Sequence, residues 1–535
     1  MKNIYSYLII LAATFSWGSC ADSEYTDKYD NPAETSKASC DKLMTGVFYT
    51  GRTYTFNSYW RAWTWDNYSL GVYAQTIGFM NDEGSIYAVS DGYANDRWVN
   101  FYNTLTQFRV LEDVYDKLDS EKKVTYTIFK DLAEVFIYDH LSQIIDIFGD
   151  CPFEKAGYLY ITGDVAGSFP SYDKAEDLYS MMLDRLGELY TSIHSLNGNL
   201  NAQAAAYLPN QDFINGGDLN KWEAYCNSLR LRLAVRVATQ GSLAEKGKQV
   251  IAEILNGNLP LVDSNSNGIQ LESNNEDTAN FFNPDDLRSG YADGNYINAP
   301  SAMINVLTKT VASENDPRLS ILYSKNAAGE YKGLDPENET YGEQKVNVDK
   351  PSSERAYSRI DSTTISYNTE FISPIITASE VAFLKAEAYQ KGWANGDAKQ
   401  AFINGVLFSA QFYFHENEIS PSTDGTKLAY PGDDVIEAYA TKAWEGASNK
   451  EETIITQKWL NFGFIQSSQA WNEIRRTGYP QLFFPEDGGA QLLKTAPYRV
   501  KYPASERSNN TANWETQVQN MGGDDSYYIK LFWAK

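Results

Sequence analysis

Apolar residues recur at steps of three and four along most of the chain, the period of a helix with one buried face. In 123–148 the set Phe129, Ala133, Phe136, His140, Ile144 and Ile147 falls on one side of such a helix. Trp98 to Leu118 and Tyr172 to Ile193 carry the same stripe. Ser171 or Asp173 is placed to cap the latter, and Glu176 and Asp177 in its first turn suit the positive end of the helix dipole. The run Asn227 to Arg236 alternates apolar and basic residues, which by itself fits a strand. Its flanks decide otherwise: Trp222, Tyr225, Leu229, Leu233 and Val237 continue a helical stripe through it, and Gly241 closes the segment. Thr377-Ala378-Ser379-Glu380 reads as a capping box, with the Thr377 hydroxyl accepting from a backbone amide while Glu380 reaches back, and it opens a helix to Lys391 before Gly392. Further helices are predicted at 243–256, 396–416, 432–446 and 451–475.

The helices come in adjacent pairs in both halves, with spacings loosely like those of tetratricopeptide repeats but without that repeat's residue pattern. A mainly α scaffold over about 35–256 and 373–480 follows. Between the two blocks, 257–372 is rich in Asn, Asp, Gly, Ser and Tyr, a loop-rich segment suited to a binding surface.

The first residues have a different pattern. Lys2 precedes a mostly apolar stretch from Ile4 to Phe15, too short to span a bilayer, and Gly18 and Ser19 stand before Cys20. That layout predicts a signal peptide over 1–19 and a lipidated N-terminus at Cys20, although Trp17 occupies the position where lipoproteins usually have Leu. The polar, acidic stretch 20–31 is then a flexible tether. With a formal net charge of −25, nucleic acid and anionic membrane surfaces are excluded as partners, because both would repel the chain. Cys40, Cys151 and Cys226 lie at long spacings, which excludes a disulfide scaffold and a CxxC site and allows one disulfide at most.

Catalytic motifs are scarce. His140, His194 and His415 lie outside metal-ligand spacing of one another, so zinc proteases and Ser-His-Asp hydrolases have no footing, and His140 reads as a packed core residue. Gly241 to Lys248 has the wrong spacing for a phosphate loop. Asp263 to Gly268 begins like a calcium loop, yet Asn274 stands where the bidentate Glu is required, so an Asn/Gly turn is the better reading. No cofactor or metal is expected, and a glycosidase is the weaker alternative. The better lead is aromatic content: 38 Tyr, 25 Phe and 12 Trp. Tyr59-Trp60-Arg61-Ala62-Trp63-Thr64-Trp65-Asp66-Asn67-Tyr68 sets large rings among guanidinium, carboxylate and amide groups. Sugars have apolar C–H faces and polar rims, so an aromatic platform beside such groups suits them. Tyr87, Tyr93, Phe281, Phe282, Tyr291 and Tyr296 are further candidates.

Several motifs, taken in order, resemble the SusD/RagB family of Bacteroidetes nutrient-binding outer-membrane lipoproteins, in its SusD-like branch. They are Asp146-Ile147-Phe148-Gly149-Asp150-Cys151-Pro152-Phe153, Pro170-Ser171-Tyr172-Asp173, Lys221-Trp222 leading into Asn227 to Arg232, Asp316-Pro317-Arg318-Leu319, Ala378 to Ala388, Trp471 to Pro480 and Tyr502 to Glu506. The resemblance implies one SusD-like domain over 32–535, with four tetratricopeptide-like helix pairs and short strands beside the binding loops. It implies a surface-exposed, lipid-anchored, non-enzymatic protein that captures an oligosaccharide or polysaccharide, or alternatively a peptide, for a SusC-like TonB-dependent transporter. Family sites draw on aromatics before the first long helices and on the central loops, where Trp60, Trp63, Trp65, Asn67, Tyr87, Trp98, Tyr291 and Tyr296 stand.

Overall fold

The computed structural model describes residues 38–81, 86–272, 285–292, 297–423, 425, 427–486 and 495–535. The signal peptide, Cys20, the tether, Phe281, Phe282 and Tyr296 lie outside these described residues. Helices of ten residues or more are α1 Cys40–Gly51, α2 Asp91–Asp116, α3 Ser120–Phe148, α4 Ala175–Leu196, α5 Ala202–Gln211, α6 Leu219–Ala238 and α7 Ala244–Asn256. After the central segment come α8 Ala378–Gln390, α9 Ala398–Ile419, α10 Asp433–Gly446, α11 Lys450–Phe462, α12 Ser467–Thr477 and α13 Thr511–Asn520. The expected helices are present, and α6 carries the alternating Asn227 to Arg236 run as helix.

Three local expectations are corrected. The stretch 451–475 is not one helix: α11 stops at Phe462, because the chain turns through Gly463 at φ 48° before α12 begins. Neither Ser171 nor Asp173 caps α4. Asp150, across the fold, accepts from the Ala175 amide at 2.8 Å, while Asp173 accepts from the Phe153 and Glu154 amides. Thr377 does cap α8, accepting from the Glu380 amide at 3.1 Å, but Glu380 does not reach back. Its carboxylate binds Arg232 instead, at 2.5 and 2.7 Å.

Packing follows chain order. α1 lies on α2 and α3, α3 on α4, α4 on α6, and α6 on α7; in the second block α8 packs on α9 and α11, and α9 on α10. α6 then meets α8, and α12 closes against α3 and α11, so the two blocks share one hydrophobic cluster running from Cys40 to Ala534. Two antiparallel strand pairs fasten the central segment: Ile269–Leu271 with Ser373–Ile376, and Tyr323–Ser324 with Arg359–Ile360. That segment also contains helices Ser301–Lys309 and Tyr341–Val348, the second opened by a reciprocal Thr340/Glu343 capping box. Cys40, Cys151 and Cys226 are buried free thiols. At 264–267 the Asn267 side chain accepts from the Asp263 and Ser264 amides, each at 3.1 Å, so the oxygen-rich turn bonds to itself.

Where α6 meets the rest of the fold, its arginines are buried against carboxylates. Arg232 pairs with Glu380 of α8, and Arg236 with Asp146 of α3, while Arg476 of α12 and Lys458 of α11 share Glu387 of α8. Removing one member leaves a desolvated charge, which costs about 3–5 kcal/mol. Glu380→Ala is therefore expected to lower the unfolding free energy by up to that order in urea melts, with Asp139 at 3.5 Å left as the one carboxylate beside Arg232. An unchanged midpoint in Glu380→Ala would show that this pair does not hold the blocks together.

Candidate functional site

The densest group of accessible rings lies between α1 and α2. Ser58 caps a single turn, Tyr59–Arg61, by accepting from the Arg61 amide at 3.1 Å. The chain then widens into a π-helix over Ala62–Asn67, closed by the Tyr68 amide donating to the Trp63 carbonyl at 3.2 Å. Such turns are rare and concentrate at functional sites. The five-residue step brings Trp63 and Tyr68 onto one side, with ring centroids 4.7 Å apart in an edge contact. Tyr59 stacks on Trp63 at 6.0 Å and Trp60 meets Tyr93 of α2 edge-on at 6.1 Å. Trp63 Nε1 donates to the Tyr93 hydroxyl at 3.3 Å. Trp60 and Tyr68 are 37% and 40% exposed, and Tyr59, Trp63 and Tyr93 are half-buried beneath them.

Close backbone packing supports this face from below. A Cβ on Gly71 would stand 1.9 Å from the Asp66 carbonyl oxygen, and one on Gly290 would stand 2.8 Å from the Ala62 Cβ. Only glycine therefore lets the 70–74 turn and the short helix Asp286–Ala292 pack this tightly against the π-helix. The Asn67 side chain donates to the Gly290 carbonyl at 2.6 Å, completing the seam. On the other side of that helix, Arg288 lies over Tyr367, which is 38% exposed.

The structure thus brings Trp60 and Trp63 together with Tyr59, Tyr68 and Tyr93 and separates them from the other expected residues. Trp65, Asn67, Tyr87, Trp98 and Tyr291 are each 3% exposed or less, which corrects their reading as platform rings or rim groups. Each has an internal role. Trp65 points to the interior side of the π-helix and Asn67 holds Gly290. The Tyr87 hydroxyl donates to the Pro485 carbonyl at 2.7 Å. Trp98 packs edge-on against Phe148 and donates to Glu506 at 3.3 Å, and Tyr291 lies edge-on to Phe464. Tyr296 is outside the described residues. Tyr68, within the 59–68 stretch but absent from the expected binding residues, belongs to the face through the five-residue π step from Trp63, which residue spacing alone does not announce.

The charged residues of the stretch also turn inward. Arg61 donates to the Thr55 and Ile465 carbonyls at 2.9 and 2.5 Å and lies 3.2 Å from Asp66. Burial pushes the Asp66 carboxyl up to about 7, against the pull of Arg61. Among the described residues no group of His, Cys, Asp and Glu could hold a metal ion. No helix of the described residues is long and apolar enough to cross a membrane. An accessible, pre-formed ring face is equipped for stacking on a ligand.

A family model of the SusD-like group, described as "Starch-binding associating with outer membrane", matches residues 32–503. The chain belongs to this SusD-like family. No curated protein matches it. Among solved structures the fold recurs in a chitin-binding protein at 22% identity and TM-score 0.71, covering 92% of this chain and 99% of that one. It recurs in a SusD-like protein from Bacteroides thetaiotaomicron at 21% identity and TM-score 0.64, covering 92% and 98%. A chitin-binding SusD homolog from Flavobacterium johnsoniae matches at 18% identity and TM-score 0.67, again over 92% and 98%. At these identities the likeness is one of fold, and the SusD-like scaffold here is the helical array with its small strand pairs.

Asp66 makes the underside of the face sensitive to pH. Its folded-state pKa lies above the ordinary 3.8, so its contribution to stability is complete below about 4 and is lost as pH rises through about 7. Asp66→Asn, which is never ionised, is expected to gain in Tm relative to the parent over that window, then stay level. The scale is ~1.4 kcal/mol per pH unit separating the two pKa values. A Tm difference that is constant with pH would show that Asp66 is ionised throughout.

Proposed function

We propose that this SusD-like protein binds an oligosaccharide or polysaccharide at the cell surface on the Trp60, Trp63, Tyr68 and Tyr93 face, and hands it to a SusC-like TonB-dependent transporter. The observation that carries the reading is the exposed ring face itself, set on a π-helix and held by Gly71 and Gly290. Aromatic rings of this kind supply large contact area at little conformational cost, which suits the flat C–H faces of sugars. The family description, which names starch binding and association with the outer membrane, supports both the ligand class and the location. In this reading Cys20 carries the lipid, and residues 20–31 tether the body to it. Catalysis has no part in it, since capture and transfer need only a face that binds and releases.

Retention on starch and chitin affinity gels tests the site. Trp60→Ala and Trp63→Ala are expected to weaken retention roughly three- to tenfold each, with the far-ultraviolet circular dichroism of the parent unchanged. Parent and variants retained equally, on a gel that retards the parent, would remove this face from the ligand site. Absence of sugar products after incubation with the polysaccharide is expected in the same samples, and turnover at catalytic protein concentrations would replace capture with hydrolysis. For the anchor, Cys20→Ala is expected to move the protein from the membrane to the soluble fraction in cell fractionation.

A further inference from the structure

Another exposed ring stands at the C-terminal end of α9, beside a groove of about 570 Å³ that shares no residue with the ring face. Gln411, Phe414, His415 and Glu418 of the helix line it together with Leu428 and Tyr430 of the loop that follows. Its size lies within the ~300–1,000 Å³ of small-ligand sites, and its apolar floor with a few polar groups is their usual make-up. The loop is fastened to the helix end. The Lys427 ammonium donates to the Asn417, Glu418 and Ser420 carbonyls, the favourable place for a cation at a helix C-terminus. The Leu428 amide donates to the Asn417 side chain at 2.9 Å.

Tyr430 is held at both ends. Its hydroxyl donates to Asp433 at 2.6 Å, and Gln411 donates to the same carboxylate oxygen at 2.9 Å. Its ring stands edge-on to the buried Phe414, with centroids 5.4 Å apart, and is 38% exposed. This is the arrangement of Trp60 on Tyr93, an accessible ring fixed by a second one. His415 and Glu418, one helical turn apart and both exposed, make no hydrogen bond or ion pair among the described residues. They are therefore available to a ligand, whereas the one cation of the groove, Lys427, is turned to carbonyls. An imidazole and a carboxylate bond well to hydroxyls, but an acidic ligand would meet Glu418 and Asp433 with no cation to offset them.

We propose that this groove is a second carbohydrate site, taking a short stretch of a neutral polysaccharide, with the Tyr430 ring as platform and His415 and Glu418 bonding to hydroxyls. The inference rests on the glycan-binding reading of the ring face and adds a second point of hold. Two sites on one body raise retention on a polymer above what either gives alone.

Retention of the intact chain on starch and chitin gels, with hydrogen exchange in soluble maltoheptaose and chitohexaose, tests the site. Tyr430→Ala is expected to weaken retention roughly three- to tenfold on the gel that retards the parent, and Tyr430→Phe, which keeps the platform, to hold most of it. Should Tyr430→Ala disturb the loop, Glu418→Ala on the helix is expected to weaken retention as well. The oligosaccharide is expected to slow exchange over 411–418 and 427–430, in the parent and in Trp60→Ala alike. Unchanged retention in Tyr430→Ala and Glu418→Ala, or protection confined to 59–68, would overturn the second site and leave the ring face standing. Protection of neither stretch would overturn both. A polyuronate that competes as well as the neutral sugar would overturn the ligand class.

Discussion

The constraint on which the fold depends is that α6 is buried on every side, polar face included. A helix with a solvent face can place its arginines in water; α6 has none to offer from Leu229 to Ala238. Arg232 and Arg236 therefore each need an internal carboxylate, and these come from different directions: Glu380 of α8 and Asp146 of α3. Arg230 leaves by a third route, donating to the Leu183 carbonyl and to Glu253 of α7. Three charges on one helix thus fix the positions of three neighbours, including one nearly 150 positions away. Hydrophobic contact alone would allow the blocks to slide; buried, directional ion pairs do not.

The same arrangement explains why the ring face sits where it does. α12 is pinned by Arg475, which donates to the Asp146 and Tyr498 carbonyls, and by Arg476, which binds Glu387 and Glu473. The 70–74 turn and the π-helix lie on α12, with the Ser467 hydroxyl donating to the Asp66 carbonyl at 3.4 Å. A wide turn is held open by what packs beneath it. It is tolerated here because α12 cannot move away and Gly71 leaves no side chain in the gap. The rigidity of the ion-pair core is passed to the rings through backbone contact.

Helix positions were legible in the sequence because the apolar period reports which side of a segment is buried, and α4 and α7 have such a side, whereas α3 is buried almost all round from Asp131 to Phe148 and shows through its apolar content. Caps were less legible. Asp150 caps α4 from 25 residues away and Glu380 leaves its own helix to meet Arg232, and neither choice has a local signature. The split at Gly463 was missed because the apolar pattern continues across it while the backbone does not. In the ring stretch, composition located the aromatic face but not its orientation. Trp63 and Trp65 are two residues apart and face opposite ways, one toward Tyr93 and the other into the interior, and the π-turn that sorts them leaves no mark in residue spacing. Trp98 and Tyr87 were drawn in by their neighbourhood in sequence, yet their rings fill space between helices.

Preorganisation has a consequence for selectivity. Five rings already in edge and stacked contact give up little freedom when a ligand arrives, so the face is suited to binding without rearrangement. Rings alone discriminate weakly, however, since every pyranose has C–H faces; discrimination requires hydrogen bonds that a wrong ligand leaves unmade. Within 59–68 the charged and amide groups are turned inward: Arg61 to carbonyls and Asp66, Asn67 to Gly290. A charged or amide rim beside the ring hydroxyls therefore has to come from outside the stretch. Of the neighbouring elements, Asp286–Ala292 packs directly on the π-helix and presents Arg288, about half exposed, beside Tyr367. On the proposed binding role, affinity falls to the π-helix and selectivity to the ring hydroxyls and the central segment that leans on it.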